Sequence, residues 1–342
     1  MSGFRDNVLY GFDQASRINR KYNADGKYIT SGGRFDVIKL AADLGVPVMH
    51  RELDGLLGAY LPFPSPGILL NTRRPQSVQR LTCAHELGHY FLSHDKSLDG
   101  ENDVGFALVQ THRASPQEVQ ADAFAFSLLM PKWLIIENLK RLNQKYFSLE
   151  QKVYQLSLRL GCSYEATVNM LVQYKMLPSM EGHRLRSVEP KAIKISLVGN
   201  IEVENWRRDV WVISDLEDGS LFDVMRGDIV LIKTMEQSGS GFLNGYELKG
   251  NFNAFTVMDE RHLEVGLSGC EEKPVGGAFI FELVSAASAT GVVTARFFRR
   301  RPWIKGDSHE IMELVLDVGE VVPGLSIAER TKMVRNLRQS ND

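Results

Sequence analysis

The most chemically specific run in this sequence is His85-Glu86-Leu87-Gly88-His89. On a helix, His85 and His89 are separated by about 400° of rotation, so both side chains point to one side. Their ring nitrogens could then hold one zinc ion, which accepts nitrogen ligands readily. Glu86 would lie beside the open coordination position and accept a proton from water that the zinc has made acidic. The pattern therefore predicts one Zn²⁺ ion that is used to hydrolyse a peptide bond.

A catalytic zinc ion usually has a third protein ligand, and two acidic residues compete for this role. Asp95 lies six residues after His89, but that route normally needs a glycine three residues after the histidine, where this chain has Leu92. Glu118 is favoured because it lies on a second predicted helix with Asp122 four residues later, on the same side. Asp122 would accept the outer N–H of a zinc-bound histidine and so fix its tautomer.

Simpler roles remain open for these two acidic residues. Ser115-Pro116-Gln117-Glu118 is also a capping box with a proline in the first turn, in which the Glu118 carboxylate would bond back to the Ser115 backbone. Asp122 could be an ordinary solvated residue on the outer side of the helix. The requirement for a third zinc ligand favours the metal-binding role of Glu118.

Three other side chains near the motif are weaker candidates. His94 lies nine residues after His85, which corresponds to roughly half a turn, so the helix is predicted to direct it away from the zinc. His112 is expected in a loop, from which it could donate a hydrogen bond to an oxyanion. Tyr90 is a comparable candidate for that role.

The bulk composition is that of a globular protein. The chain has 342 residues, of which 44% are hydrophobic and 24% charged, and this length favours two or three domains. A net charge of −2 gives no electrostatic reason to expect a nucleic acid as partner. The apolar runs are shorter than a membrane span, and the N-terminus shows no secretory signal.

Cysteine usage favours a reducing compartment. Cys83, Cys162 and Cys270 are widely separated, and their odd number suits reduced thiols. We expect each to be a small buried residue. Together with the missing signal sequence, this predicts a cytoplasmic protein.

Hydrophobic spacing predicts a small α+β core in the first part of the chain. After a polar N-terminal stretch with a short helix around Asn7–Tyr22, a helical stripe over Arg34–Leu44 ends at Gly45. Short strands are expected at Val46–His50, Gly58–Leu61 and Gly67–Asn71. Longer helices are expected at Ser77–Ser93, Ser115–Met130 and Trp133–Leu142.

Residues Leu149–Leu177 are predicted to form two helices joined by a tight turn. Gly161 would end the first helix and Ser163 would cap the second. This arrangement is typical of a helix-turn-helix, but also of any small helical pair. Direct DNA binding is not expected, because the second helix, Tyr164–Tyr174, contains no arginine or lysine.

From about residue 193 the pattern changes to short alternating apolar runs separated by turn residues. They predict an all-β sandwich. The expected strands are Ile193–Val198, Asp209–Ser214, Asp228–Lys233, Ala254–Met258, Gly277–Leu283, Gly291–Phe298 and Ile311–Val318. A basic amphipathic helix is expected at Ser326–Leu337.

The first part of the chain resembles the ImmA/IrrE family of bacterial metallopeptidases. The segments that carry the resemblance are 36–48, Gly67–Asn71, Arg80–His94 and Glu118–Pro131, and it extends over about residues 34–180. It implies a minimal gluzincin-like protease in which His85, His89 and Glu118 bind the metal and Glu86 is the base. It also implies a narrow protein substrate, a helix-turn-helix repressor whose cleavage lifts repression of stress, DNA-damage or mobile-element genes.

The second part resembles chagasin-like inhibitors of cysteine proteases, which are immunoglobulin-like sandwiches. The resemblance rests on the loops Arg300-Arg301-Pro302-Trp303 and Pro274-Val275-Gly276-Gly277. A third loop, Gly241–Tyr246, stands where the family would have Asn-Pro-Thr-Thr-Gly, the part that enters a protease cleft. Because that loop is altered, the resemblance implies the fold and not the inhibitory activity. An ordinary β-sandwich with a buried tryptophan is the simpler alternative.

These observations predict an α+β chain of five segments. They are an N-terminal extension (1–33), a zinc metallopeptidase core (34–145), a helix-turn-helix-like helical segment (146–190), an immunoglobulin-like β-sandwich (191–320) and a C-terminal helix (321–342). The expected function is a zinc-dependent endopeptidase acting on one protein partner in a stress, mobile-element or toxin–antitoxin response.

Two alternatives belong to other functional classes. A DNA-binding regulator with a structural zinc would need basic residues on the second helix of the pair. A binding module whose β-sandwich inhibits another protease would need the missing Asn-Pro-Thr-Thr-Gly loop. The oligomeric state and the role of the β-sandwich stay open.

Overall fold

The computed structural model describes residues 3–319, except for 24, 31, 63–64, 95–96, 101–114, 143–146, 204, 237–240 and 265–278. The chain forms two compact units. We call the described residues of 3–138 and 156–186 the first unit, and those of 139–155 and 187–319 the second unit. The whole is a mixed α+β protein, in which most helices precede the β-rich part, as predicted.

The first unit is built from helices around one small mixed sheet. Its helices are α1 Phe4–Tyr22, α2 Val37–Asp43, α3 Gln76–Leu92, α4 Pro116–Leu129, α5 Lys132–Arg141, α6 Leu149–Leu160, α7 Tyr164–Gln173 and α8 Ser179–Arg186, of which α5 and α6 continue into the second unit. Its strands are β1 Val48–Arg51, β2 Leu56–Leu61, β3 Gly67–Asn71 and β4 Ser97–Gly100. The sheet order is β1-β3-β2-β4, with β1 parallel to β3 and the other pairs antiparallel.

Small residues let the central helices approach each other closely. A side chain at Gly88 of α3 would have its Cβ 3.1 Å from the Cα of Ala121 on α4. At Gly11 of α1, an added Cβ would be 2.4 Å from the carbonyl oxygen of Gln120 on α4. Helix α4 therefore lies directly between α1 and α3, and its residues Ala121–Leu129 are all buried.

The predicted helical pair is present, and its turn has the expected chemistry. Gly161 takes a positive φ of 65° after α6, a conformation that glycine adopts without strain. The Ser163 hydroxyl accepts a hydrogen bond from the Ala166 amide and so caps α7. Most of α7 is buried, which accounts for its apolar composition.

The second unit contains two four-stranded sheets. Its strands are β5 Val210–Ser214, β6 Leu221–Met225, β7 Ile229–Glu236, β8 Leu243–Gly250, β9 Phe255–Glu264, β10 Phe279–Ala287, β11 Gly291–Arg300 and β12 Ser308–Gly319, and its remaining helix is α9 Pro190–Val198. The sheet orders are β5-β7-β10-β9 and β6-β12-β11-β8. Each sheet has one parallel pair, β5 with β7 and β6 with β12, among antiparallel ones.

Aromatic side chains pack one sheet of the second unit against the other. Phe281 of β10 contacts Phe297 of β11 with ring centroids 6.5 Å apart, and Tyr246 of β8 with centroids 6.3 Å apart. Trp211 of β5 lies across from Phe222 of β6 at 6.0 Å. The outer side of the first sheet is covered in part by Val198 of α9.

The structure corrects one predicted strand. The alternation in Ile193–Val198 predicts a strand, but these residues form the end of helix α9. The helix begins with Pro190, whose fixed φ suits a first helical turn, and ends at Gly199 with φ 66°. Helix α8 and strands β4, β6 and β8 are further elements that the sequence analysis did not identify. The helix predicted at Ser326–Leu337 lies outside the described residues.

One segment, Pro116–Arg141, is long and apolar enough by length and composition to cross a membrane. Its most apolar window is 78% buried inside the protein, and Pro131 separates it into α4 and α5. A core element of a folded protein passes the same test, so this segment is weak evidence of a membrane span.

The cysteines in the described part of the chain are buried and free, as predicted. Burial raises the pKa of the Cys83 thiol to about 12 and that of the Cys162 thiol to about 11. Cys270 lies outside the described residues.

Candidate metal centre

The two motif histidines lie on the buried side of helix α3, one turn apart. His85 is 0% exposed and His89 is 1% exposed. Their Nε2 atoms are 3.0 Å apart, so both rings are directed at one point. The four-residue spacing therefore places both rings on one side of the helix, as the sequence predicted.

Glu118 brings a carboxylate to the same point from helix α4. Its Oε2 lies 3.1 Å from His85 Nε2, and its Oε1 lies 3.7 Å from His89 Nε2. Helix α4 is capped without the Glu118 carboxylate, because the Ser115 hydroxyl accepts a hydrogen bond from the Glu118 amide. The side chain is thus available to face the histidines.

The spacing of these three groups matches what zinc requires. A tetrahedral ion with bonds of about 2.0–2.1 Å places its ligand atoms about 3.3 Å from one another. The three distances found here are 3.0, 3.1 and 3.7 Å, and all the ligand atoms lie within 4.8 Å of one another. Two imidazole nitrogens and one carboxylate oxygen are also a donor set that zinc prefers.

Asp122 supports the first histidine from behind. It is fully buried, and its Oδ1 lies 2.8 Å from His85 Nδ1. A buried carboxylate at this distance accepts the Nδ1–H of a neutral ring, which leaves His85 Nε2 with a lone pair. The alternative of a solvated Asp122 is therefore wrong.

His94 is not directed away from the metal residues, and the prediction that it is was wrong. Helix α3 ends at Leu92, and Ser93 takes a left-handed φ of 55°, so the rotation of a regular helix does not extend to residue 94. His94 Nδ1 lies 3.0 Å from His89 Nδ1. Its Nε2 lies 3.1 Å from Gln120 Oε1 on α4.

These contacts favour one tautomer of His89. Gln120 donates its amide N–H to Asn7 Oδ1 at 2.8 Å, so its own oxygen accepts from His94 Nε2–H. The neutral His94 ring then has a lone pair on Nδ1, which accepts from His89 Nδ1–H. The remaining nitrogen of His89, Nε2, therefore has a lone pair too.

In these tautomers, the lone pairs of His85 Nε2 and His89 Nε2 and the Glu118 carboxylate converge at one point. Two imidazole lone pairs that face each other at 3.0 Å repel unless a cation or a proton lies between them. Burial raises the pKa of the Glu118 carboxyl, but the positive charge that His85 and His89 carry when protonated lowers it more, so the net pKa lies well below the usual range. The cluster therefore attracts a positive charge, and the residues present fit a zinc ion.

Glu86 is fully buried on α3, on the side that strand β2 covers. Gly58 of β2 makes this arrangement possible. A Cβ added there would lie 2.4 Å from Cγ2 of Thr82, 2.8 Å from the Leu69 carbonyl oxygen and 3.4 Å from Glu86 Oε1. The absence of a side chain at Gly58 therefore leaves room for the carboxylate beside the strand.

The remaining sequence candidates are placed as follows. Tyr90 is half-buried and contacts the ring of Tyr60, with ring centroids 6.2 Å apart. Asp95 and His112 lie outside the described residues. Sequence reasoning did not identify Gln120 or Asn7 as neighbours of this site, and only the position of Gln120 between Glu118 and Asp122 pointed towards it.

Residues 41–172 match the family model described as the IrrE N-terminal-like domain, a metallopeptidase family. The match includes all the metal-facing residues named above and confirms the resemblance drawn from the sequence. It begins after helix α1. No curated protein matches the chain.

The solved structures to which the chain is similar include inhibitors of cysteine proteases. One is the cysteine protease inhibitor EhICP2 from Entamoeba histolytica, with 16% identity, coverage of 33% of this chain and 97% of that chain, and a TM-score of 0.29. Another is PbICP-C, solved in complex with falcipain-2, with 15% identity, coverage of 36% and 95%, and a TM-score of 0.20. Both are of the inhibitor type that the second part of the chain resembles.

Proposed function

We propose that this chain is a zinc-dependent endopeptidase in which His85, His89 and Glu118 bind one Zn²⁺ ion. The observation that carries the proposal is the convergence of the Nε2 atoms of His85 and His89 and the Glu118 carboxylate at one point. The family match over residues 41–172 supports peptidase chemistry. A structural zinc site would more often have four protein ligands, whereas the cluster found in the described part of the chain has three.

Glu86 is the proposed general base. A zinc ion held by the three ligands would polarise a peptide carbonyl as a Lewis acid. It would also lower the pKa of water, so that the water can lose a proton and attack that carbonyl. Glu86 would take the proton from the attacking water on its carboxylate and then deliver it to the nitrogen of the leaving amine. It directly follows the first histidine on α3, which is the position of the base in the His-Glu-x-x-His pattern.

Asp122 and His94 would hold the two imidazoles in place while this happens. Each accepts or shares the outer Nδ1 proton of one histidine, which keeps the Nε2 lone pair directed inwards. Neither residue would contact the substrate. Their proposed contribution is to the affinity for the metal and to its position.

We infer that the substrate is one chosen protein, and the resemblance to the ImmA/IrrE family favours a helix-turn-helix repressor. The same resemblance favours a role in a stress, mobile-element or toxin–antitoxin response, and the buried free cysteines favour a cytoplasmic location. An extended peptide can bind by adding to a sheet edge. In the part of the sheet that the structure describes, β4 pairs only with β2 and has such an edge.

For the other segments, we propose the boundaries and the immunoglobulin-like type of sandwich stated in the sequence analysis. The β-sandwich would sense a signal or restrain the peptidase. Direct reading of DNA by α7 is not favoured, because six of its ten residues, Tyr164, Ala166, Thr167, Val168, Met170 and Leu171, are buried.

The test compares wild type with Glu86→Gln in cells and in vitro. Loss of the general base should lower cleavage about 10²–10⁴-fold, while zinc content, measured on the purified protein, stays near one ion per chain. New protein N-termini, mapped by mass spectrometry, should appear at one or a few sites with wild type only. Cleavage that is equal in both proteins would refute the role of Glu86, and a wild-type protein that takes up no zinc would refute the whole proposal.

A further inference from the structure

The N-terminal helix α1 is firmly packed on the helix that carries Glu118. Gly11 brings the two backbones together, since an added Cβ would lie 2.4 Å from the Gln120 carbonyl oxygen and 2.9 Å from the Phe124 amide nitrogen. Val8 forms a buried cluster with Val119 and Ala123. This packing places Asn7, which is 5% exposed, beside the polar side of α4.

A continuous chain of hydrogen bonds runs from Asn7 to the metal cluster. Asn7 Oδ1 accepts from Gln120 Nε2 at 2.8 Å, and Gln120 Oε1 lies 3.1 Å from His94 Nε2. His94 Nδ1 lies 3.0 Å from His89 Nδ1. The four groups come from α1, α4, the residues just after α3, and α3 itself.

The direction of these bonds decides whether His89 can bind a metal. If Gln120 did not accept from Nε2 of His94, the His94 ring could hold its proton on Nδ1 and donate it to His89 Nδ1. His89 would then have its own proton on Nε2, at the position that the ion must take. A histidine in that tautomer cannot be a ligand through Nε2.

We propose that His94 is a positioning residue, and that Asn7 and Gln120 act through it to hold His89 in its metal-binding tautomer. The inference rests on the zinc site of the proposed function. Helix α1 lies outside the segment that matches the family model, so this assigns to the N-terminal helix a part in the metal affinity. Asp122 does the same for His85 with a carboxylate, whereas the contacts behind His89 pass through His94 and Gln120 to Asn7 on α1.

Zinc affinity of the full chain, measured by competition with a chromophoric chelator, tests the inference without using peptidase activity. His94→Ala should weaken zinc binding about tenfold to hundredfold, the usual effect of removing the outer partner of a metal-bound histidine. Gln120→Met, which is neutral and similar in size but has no amide acceptor, should weaken it about tenfold. Asn7→Ala should act in the same direction, but less.

Two variants serve as controls. Gln120→Glu keeps an acceptor for His94 Nε2–H and should retain at least the wild-type affinity. His50→Ala removes a half-buried histidine of β1 that is not part of the chain of bonds and should leave zinc affinity unchanged. Melting of the metal-free proteins shows which variants keep their fold, and zinc affinities are compared among those variants.

The tautomer is read directly by ¹⁵N NMR of the imidazoles in the metal-free protein. Wild type and Gln120→Glu should show His89 protonated on Nδ1, and Gln120→Met should show a mixture. If His94→Ala and Gln120→Met bind zinc as tightly as wild type, with His89 unchanged, the inference is overturned while the proposed function stands. If wild type binds no zinc, the proposed function fails, and this inference fails with it.

Discussion

The two histidines of the cluster are supported by different chemistry. His85 faces the carboxylate of Asp122, which is fully buried 2.8 Å from its Nδ1. His89 faces the neutral ring of His94 at 3.0 Å. A carboxylate partner makes an imidazole a stronger base and hence a stronger metal ligand. We therefore expect His85 to contribute more than His89 to zinc affinity.

The first prediction follows from this asymmetry. Asp122→Asn keeps the shape of the side chain but removes its charge and allows its amide to present a donor to His85 Nδ1. Zinc binding, measured by chelator competition, should weaken about tenfold to hundredfold. Asp36→Asn is the matched control, because Asp36 caps α2 through a bond from the Lys39 amide, and asparagine caps equally well. An Asp122→Asn protein with wild-type affinity would contradict the assigned role.

At the residue scale, the sequence identified the groups whose roles depend on local spacing. The i, i+4 pairs His85 with His89 and Glu118 with Asp122 each lie on one side of their helix, as the helical period requires. The contact of His94 with the outer nitrogen of His89 was not predictable from local spacing. It depends on Ser93 ending the helix in a left-handed conformation and on three side chains from separate elements.

At the scale of elements, glycines set the distances between the helices and strands that form the site. Gly88 lies between α3 and α4, Gly11 between α1 and α4, and Gly58 between β2 and α3. At Gly88 and Gly11 an added Cβ would meet backbone atoms of α4, which cannot rotate away, and at Gly58 it would meet the Thr82 side chain of α3 and the Leu69 carbonyl oxygen of β3. The ligands on α3 and α4 can reach one ion because these contacts are so close.

The second prediction concerns the contact of α1 with α4. In an exposed helix, Gly→Ala stabilises by about 1 kcal/mol. Gly11→Ala should instead reduce the free energy of unfolding by about 1–3 kcal/mol, because its Cβ would lie 2.4 Å from the Gln120 carbonyl oxygen and 2.8 Å from Ala123 Cβ. Denaturant unfolding measures the change, and Gly3→Ala, whose Cβ would meet only Asp6 at 3.7 Å, is the control. A stabilised Gly11→Ala protein would show that the helices are not in tight contact.

Hydrophobic periodicity identified the elements that have clear capping residues or a clear apolar stripe, and it missed elements that lack them. Strand β3 has its predicted bounds, and α3 and α4 begin and end within one residue of theirs. In α9, the alternation Ile-Lys-Ile-Ser-Leu-Val suggested a strand, although Pro190 favoured a helix start. Strand β8 is mostly exposed or half-buried, and its polar residues conceal the period of two.

At the scale of the whole molecule, the metal cluster belongs entirely to the first unit. Its histidines and acidic residues lie on α3 and α4, and the hydrogen bonds behind them end on α1. The second unit has a core of its own, in which Phe281 and Phe297 join the two sheets. Metal binding should therefore stabilise one unit much more than the other.

The last prediction tests this with hydrogen exchange. An ion present at a hundred times its dissociation constant stabilises the state that binds it by about 2.7 kcal/mol. Removing zinc with a chelator should therefore speed amide exchange in α3 and α4, where local opening exposes the ligands, while exchange in β11 and β12 changes little. Glu118→Ala, which lacks one ligand, should exchange at the chelated rate with or without chelator. If the strands lost protection together with α3 and α4, the two units would open as one, and zinc would stabilise the whole chain.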